Sequence, residues 1–281
     1  NLQTQTEWVK VHAAEFLIWT GYPEGVQKVY LEEEKLWSNK SPYRIGIWRI
    51  LSQVAANQEE KKIYTDKIMQ AFLDTSGVDR IHAAETLAKL QISPLKEHRE
   101  ITQTTLNSPI QSLALYTRWC VAYTSQDSLL SSCKSFFELA TSPVEDAVSR
   151  TIASYIIRRS CTLTYAQWEI LARQALAETK ESDVRLSLIS TALILTPDDV
   201  STELYGQIYQ ALLEYKNLIK KNVRIEIANG LAVKGKPEDL PVLISFLRNE
   251  NPLGQDADDS DVRSSAAYAI LKMSDRFQNK R

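Results

Sequence analysis

The segment DVRLSLISTALIL at residues 183–195 is the clearest indication of the fold, because its opening triplet recurs twice at the same spacing. NVR at residues 222–224 and DVR at residues 261–263 follow at intervals of 39 residues, and each opens a run of apolar residues at helical spacing. Self-similarity at a fixed period of about 20–50 residues is typical of repeat proteins. The C-terminal third of the chain therefore predicts repeated helical units.

The same pattern extends towards the N-terminus, where VKVHAAEFL from Val9 and DRIHAAETL from Asp79 share the string HAAE at one phase. Spacings of 30 to 40 residues predict a unit of two helices, a motif helix and a second helix. We predict motif helices starting near residues 9, 43, 79, 109, 144, 184, 223 and 262. The second helices are predicted at 24–37, 58–74, 94–106, 126–141, 164–179, 199–216 and 238–249. Each helix is too short to bury its apolar face without its neighbours.

The motif helices carry the pattern VRxxAAxAL, with Asp or Asn two residues before the arginine and a glycine, such as Gly21 or Gly235, after the helix. We expect these glycines to use the left-handed region of backbone space. The pattern resembles the HEAT repeat family, and most closely its bacterial subgroup similar to phycobilin-lyase repeats. The resemblance covers nearly the whole chain. It implies an all-α fold, a right-handed superhelix of about eight helical hairpins forming a single solenoid domain over residues 1–281.

Composition disfavours several classes of function. The chain has 33 basic and 35 acidic residues and a net charge of -2, whereas a general nucleic-acid binder normally carries a basic excess. No run approaches the roughly 20 apolar residues that span a bilayer. The phosphate-binding glycine loop, HExxH, CxxC and GxSxG are all absent from the sequence. We therefore predict no catalytic residues, no metal site and no cofactor.

Basic residues recur at the second position of the motif helices, and two interpretations compete. They are Lys10, Arg44, Arg80, Arg185, Arg224 and Arg263. They could form a ladder for an anionic ligand, or each could bridge to an acidic or amide group of an adjacent repeat, as the HEAT resemblance implies. We favour bridging, because Glu145 takes this position in the fifth repeat and interrupts a basic track. Asp183, Asn222 and Asp261 precede three of the arginines and could cap their helices.

The motif helices of HEAT-like solenoids usually line the concave face, so we expect the binding surface there. Aromatic side chains anchor partner surfaces well, and the seventh position of each motif helix is our candidate for an exposed row. The predicted binding residues are Glu15, Trp19, Trp48, Arg49, Glu85, Trp119, Arg150, Asn229 and Tyr268. Their mixed charge favours a protein or peptide over nucleic acid.

Other chemistry-bearing residues are better explained by structure. His12 and His82 hold the same repeat position 70 residues apart, which indicates packing between repeats and not a shared metal. The acidic segment at residues 249–261 is expected to be a solvated loop, because it lacks the terminal glutamate of a calcium loop. Glu32, Glu33 and Glu34 are expected to form a solvated helix face. Cys120 and Cys133 flank a short turn, and whether they form a disulfide stays open.

The sequence favours a noncatalytic scaffold that binds a protein or peptide on its concave face. One alternative is an enzyme or nucleic-acid-binding protein of HEAT type, similar to DNA alkylation-repair or bilin-lyase proteins. Another is an oligomerisation module, because the first helix is apolar nearly all round, with Trp8 and Phe16 among its residues. That helix could contact an upstream domain or a second subunit, and because it has no partner helix before it we expect the chain to be a module of a larger protein. The localisation stays open.

Overall fold

The computed structural model describes residues 2, 5–179, 182–198, 200, 203–250 and 259–278. Within those residues the chain is all-helical, with fifteen α-helices and no strand. The predicted all-α class is therefore confirmed, whereas the superhelix and its eight repeats stay predictions. No helix in the described ranges is both long and apolar enough to cross a membrane.

The odd-numbered helices correspond to the motif helices, and each begins within three residues of its expected start. They are α1 (Glu7–Trp19), α3 (Tyr43–Gln53), α5 (Arg80–Lys89), α7 (Gln111–Ala122), α9 (Ala147–Ser160), α11 (Asp183–Ile194), α13 (Lys221–Lys234) and α15 (Ser260–Gln278). The even-numbered helices correspond to the second helices. They are α2 (Val26–Trp37), α4 (Gln58–Leu73), α6 (Arg99–Leu106), α8 (Gln126–Thr141), α10 (Tyr165–Ala177), α12 (Glu203–Leu213) and α14 (Leu240–Arg248), the last preceded by a 3-10 turn at Pro237–Asp239.

Local side-chain chemistry fixes several helix starts. The side chain of Asn57 accepts a hydrogen bond from the backbone N–H of Glu60, and Thr164 forms a reciprocal capping box with Gln167. The expected capping by the residue two before the arginine is wrong. Asp261, for example, lies inside the first turn of α15, where its carboxylate pairs with Lys221 at 2.6 Å.

Helix ends follow the glycine prediction at one position and depart from it at another. Gly21 follows α1 at φ 82°, and the backbone N–H of Tyr22 bonds back to the carbonyl of Leu17. Gly235, in contrast, has φ -59°, so the expected left-handed conformation is wrong there. Close packing explains this glycine, since a Cβ would lie 2.9 Å from the sulfur of Met273.

The chain divides into two compact units, residues 1–135 and 136–281, with the boundary inside α8. In the first unit, α1, α3, α5 and α7 contact one another in series. A second layer lies against them, because α2 packs on α3, α4 packs on α3 and α5, and α6 packs on α7. Each motif helix thus finds the neighbours that its apolar face requires.

The second unit repeats this arrangement. Helices α9, α11, α13 and α15 contact in series, and α10, α12 and α14 pack against that series. Small or aliphatic residues at the fifth position of the motif helices form the seam of both units. They are all buried: Ala13, Ile47, Ala83, Leu188, Ile227 and Ala266. Close helix packing requires compact side chains at such positions.

Candidate binding surface

A buried arginine joins three motif helices of the first unit. Arg49 on α3 is 1% exposed and forms an ion pair with Glu15 on α1, with 2.9 Å between Nε and Oε1, while a terminal nitrogen of Arg49 donates a hydrogen bond to Oε2 at 3.2 Å. The same guanidinium donates to the hydroxyl of Thr86 on α5 at 3.2 Å. It also lies 5.8 Å from the ring of Trp8. These contacts satisfy a charge that would otherwise be costly to bury.

The side-chain rings of α1 and α5 also meet across helix α3. Trp8 on α1 stacks on His82 on α5, with 5.0 Å between the ring centroids and 29° between the planes. Burial lowers the pKa of His82, although Glu85 raises it in part. His82 is therefore a neutral packing residue near pH 7, in keeping with the predicted structural role. Within the residues that the structure describes, no group of three His, Cys, Asp or Glu side chains could hold a metal ion.

The second unit has an equivalent bridge. Arg158 on α9 donates both terminal nitrogens to the carboxylate of Glu226 on α13, at 2.5 and 2.9 Å. Ser190 on α11, the helix between them, accepts from Arg158 at 3.2 Å. Burial would raise the pKa of Glu226, but the Arg158 charge and hydrogen bonds lower it overall. In both units, side chains of next-but-one motif helices thus meet over the intervening helix.

The basic residues at the second helix position are bonded mainly to protein groups. Lys10 pairs with Glu33, and Arg44 pairs with Asp79. Three other basic residues bond to a carbonyl in the last turn of the preceding helix, or to a hydroxyl in or just after the following helix. The bonds run from Arg80 to Phe72 and Thr105, from Arg185 to the hydroxyl of Tyr215, and from Arg263 to Leu247. The predicted bridge to an acidic group of an adjacent repeat is found for Arg44 with Asp79. The other residues bond within their own hairpin or to a backbone carbonyl of the preceding helix.

The structure corrects the register of the fifth repeat. Arg150 donates to the carbonyl of Ala140 at the end of α8 and bonds to Glu178, as Arg80 bonds to Phe72 and Thr105. Arg150 consequently occupies the second position and not the seventh, whereas Glu145 lies before α9 and does not interrupt the ladder. The seventh position belongs to Tyr155, which the sequence prediction missed through this shift of five residues.

The expected exposure of the candidate row is wrong for five of the nine predicted residues. Buried at 7% exposure or less are Glu15, Trp48, Arg49, Trp119 and Arg150. Their burial has a common cause, since these side chains pack or bond between neighbouring helices and do not face solvent. The prediction of a solvated helix face is wrong for Glu33, because its carboxylate pairs with Lys10 and accepts a hydrogen bond from the hydroxyl of Tyr43 at 2.6 Å.

The other four predicted residues, Trp19, Glu85, Asn229 and Tyr268, are partly exposed. Trp19 lines a cleft of about 510 Å³ in the first unit, together with Gln53, whose buried side-chain oxygen has no hydrogen-bond partner among the described residues. Glu85 is paired with Lys89 at 2.9 Å. Burial would raise the pKa of Glu85, but Lys89 and Arg49 lower it to about 2.

Four partly or fully exposed residues of the second unit form what we term the inner row: Tyr155, Arg159, Asn229 and Tyr268. Tyr155, Asn229 and Tyr268 all hold the seventh helix position, on α9, α13 and α15. The ring of Tyr155 lies 5.3 Å from the guanidinium of Arg158, beside the bridge to Glu226. Burial raises the pKa of Tyr268 on α15, and the charge of Arg159 on α9 lowers it in part. The two side chains are therefore close enough to interact electrostatically.

The structure answers whether Cys120 and Cys133 form a disulfide. Cys120 carries a free, buried thiol that lies 2.9 Å from the carbonyl of Ala84, so the Cys120–Cys133 disulfide is not formed. Burial raises the pKa of the Cys120 thiol well above its usual value. This thiol is therefore unreactive at neutral pH and acts as a small packing residue. Residues 251–258 of the acidic segment lie outside the described residues.

Comparison with known proteins adds no assignment. No protein-family model, no curated protein and no solved structure matches the chain significantly. Sequence and geometry thus define a chain whose described residues are all-helical and in which motif helices are bridged by side chains within each of the two units.

Proposed function

We propose that this chain is a noncatalytic HEAT-like scaffold and that it binds a protein or peptide on the face formed by its motif helices. The observation that carries the proposal is the bridging of next-but-one helices. Adjacent packed helices lie about 8–10 Å apart, so next-but-one axes in a flat stack would be about 16–20 Å apart. The contact between Trp8 and His82 in the first unit, and the contact between Arg158 and Glu226 in the second, each favour a local curvature of that unit towards its own motif helices.

Such bridges also favour a rigid, preformed surface. Side chains already held in hydrogen bonds lose little conformational entropy when a partner arrives, and this preorganisation improves affinity. The inner row offers two tyrosines, an amide and an exposed arginine, which are side chains enriched at protein interfaces or suited to hydrogen bonding there. Arg80, Arg150 and Arg185 at the second position bond to protein groups and so contribute little to a track for nucleic acid.

Site-specific photocrosslinking in the native host tests the proposal. A photoreactive phenylalanine analogue replaces Tyr268 in one variant and Tyr165 in a second, because Tyr165 is an exposed tyrosine on α10, in the other layer of the same unit. We expect a discrete protein adduct from position 268 and none from position 165. Binding of the identified partner should then weaken at least about tenfold in Tyr268→Ala and less than about twofold in Tyr165→Ala.

Two results would contradict this function. Equal adducts from both positions would show that the inner row is not a specific surface. A nucleic-acid adduct at position 268, retained on duplex DNA at low salt and released at high salt, would favour the nucleic-acid alternative.

A further inference from the structure

A mixed cationic and apolar cleft lies on the second unit, away from the inner row. Its volume is about 470 Å³, and it is formed by the α12–α13 connection, the first turn of α13 and helix α14. Its lining residues include Lys216, Asn217, Ile219, Arg224, Val242 and Phe246.

Arg224 in this cleft differs from the other basic residues at the second helix position. It is only 3% exposed, and its Nε has no hydrogen-bond acceptor among the described residues. Its guanidinium lies 5.3 Å from the ring of Phe246. At the same helix position, Arg80 and Arg150 each donate Nε to a carbonyl of the preceding helix. The Nε of Arg185 also lacks an acceptor, but a terminal nitrogen of Arg185 donates to the hydroxyl of Tyr215. A buried guanidinium that lacks such an acceptor is costly, and a bound anion would offset that cost.

The charges around Arg224 leave a net positive cleft. Lys216 adds a second cation to the cleft. Burial lowers the pKa of Arg224, and the negative charge of Asp259 raises it in part. Lys221 forms an ion pair with Asp261 at 2.6 Å, so its charge is neutralised within the protein. Two cations against one carboxylate favour a single anionic group. An arginine fork matches a carboxylate in two parallel hydrogen bonds, which an ammonium group does not.

Apolar surface lies directly beside the cations. Ile219 is 53% exposed, and Val242 and Phe246 line the same cleft. A ligand that fits both halves carries a carboxylate next to an aliphatic side chain. A segment of a protein in which acidic and aliphatic residues are close in sequence has that chemistry.

We propose that this cleft binds an acidic, aliphatic-containing segment of a protein partner, with Arg224 donating hydrogen bonds to a carboxylate and with Ile219 and Val242 receiving the aliphatic side chain. The inference rests on the proposed function, since it assigns a second contact to the same protein-binding module. It adds the chemical class of segment that the partner must contain.

Fluorescence anisotropy on the full chain tests the cleft directly. The probes are a short labelled peptide of alternating Glu and Leu and a matched peptide of alternating Gln and Leu. We expect the Glu–Leu peptide to bind more tightly by at least about tenfold, and Arg224→Gln to remove most of that difference. Arg263→Gln is the matched control, because Arg263 holds the same helix position, is exposed and bonds to the carbonyl of Leu247. It should change the affinity less than about twofold.

Further variants separate the possible results. Arg224→Lys keeps the charge without the fork and should recover only part of the affinity. Lys216→Gln lies on an exposed residue and should weaken binding severalfold even if Arg224→Gln unfolds. Equal binding of the two peptides, unchanged binding in both glutamine variants, or tighter binding of a single-stranded RNA oligomer would overturn the inference. If the partner crosslinked at position 268 keeps its affinity in Arg224→Gln, the cleft proposal fails while the proposed function stands.

Discussion

The bridge between Arg158 and Glu226 gives the sharpest test of the packing argument. Both side chains are largely buried, at 10% and 19% exposure, and they form two hydrogen bonds of 2.5 and 2.9 Å. At an effective dielectric constant of about 20, opposite charges about 4 Å apart attract by about 4 kcal/mol. Desolvation offsets most of that attraction, so the pair has a small net value. Removing one partner alone costs about 3–5 kcal/mol, because the other charge stays buried.

A double-mutant cycle measures this coupling. We expect Arg158→Met and Glu226→Leu each to lower the free energy of unfolding by about 3 kcal/mol, and the double variant to lower it by only about 1–2 kcal/mol. Urea unfolding followed by circular dichroism gives the energies, and hydrogen exchange of peptides from α9 and α13 shows where stability is lost.

An exposed pair provides the control. Lys62 and Asp66 form an i,i+4 pair on α4 with 72% and 58% exposure, and the same cycle should give a coupling below about 0.5 kcal/mol that salt removes. Additive effects at Arg158 and Glu226, or single losses below about 1 kcal/mol, would refute the view that this pair bridges α9 and α13 in solution.

Three further predictions concern stability. The carboxyl of Glu85 has its pKa lowered from 4.5 to about 2, so its stabilising contribution is present above pH 4.5 and is lost as the pH falls towards 2; the urea midpoints of the wild type and Glu85→Gln should converge over that interval. Gly46→Ala should destabilise by about 1–3 kcal/mol, because its Cβ would lie 2.6 Å from Val11, whereas Gly206→Ala in α12, which meets nothing within 4 Å, should stabilise by about 0.5–1 kcal/mol in urea unfolding. Arg224→Met should leave the free energy of unfolding within about 1 kcal/mol of wild type or raise it, and a loss above about 2 kcal/mol would mean that Arg224 has a structural partner.

The helix positions could be predicted because local pattern determines them. A triplet such as DVR at residues 183–185 and apolar residues every three or four positions are properties of one segment, and α11 begins at Asp183. The burial of Arg49 could not be predicted in the same way. It depends on Glu15 and Thr86, which lie 34 and 37 residues away on other helices. The seventh position therefore faces either solvent or a neighbouring helix according to how the helices stack.

The fifth repeat shows how a register error spreads into a functional prediction. Taking Glu145 as the second position made Arg150 a candidate surface residue and left Tyr155 out. The contact that identifies the register is the bond from Arg150 to the carbonyl of Ala140, the same type of bond that Arg80 makes to Phe72. Equivalent contacts define equivalent positions more securely than letter patterns do where a repeat is divergent.

The second helix position also shows where function can be sought in a repeat protein. One residue type recurs there from repeat to repeat, so the residue itself cannot mark a site. Its partners differ, since Arg80 and Arg150 find a carbonyl and a further side-chain oxygen, whereas Arg224 faces a cleft and the ring of Phe246. A buried charge persists in an unsatisfied environment only if other interactions, within the chain or with a ligand, offset its cost. We therefore expect the motif helix that departs from the common bonding pattern, α13, to be the one whose buried arginine is stabilised most by a bound anion.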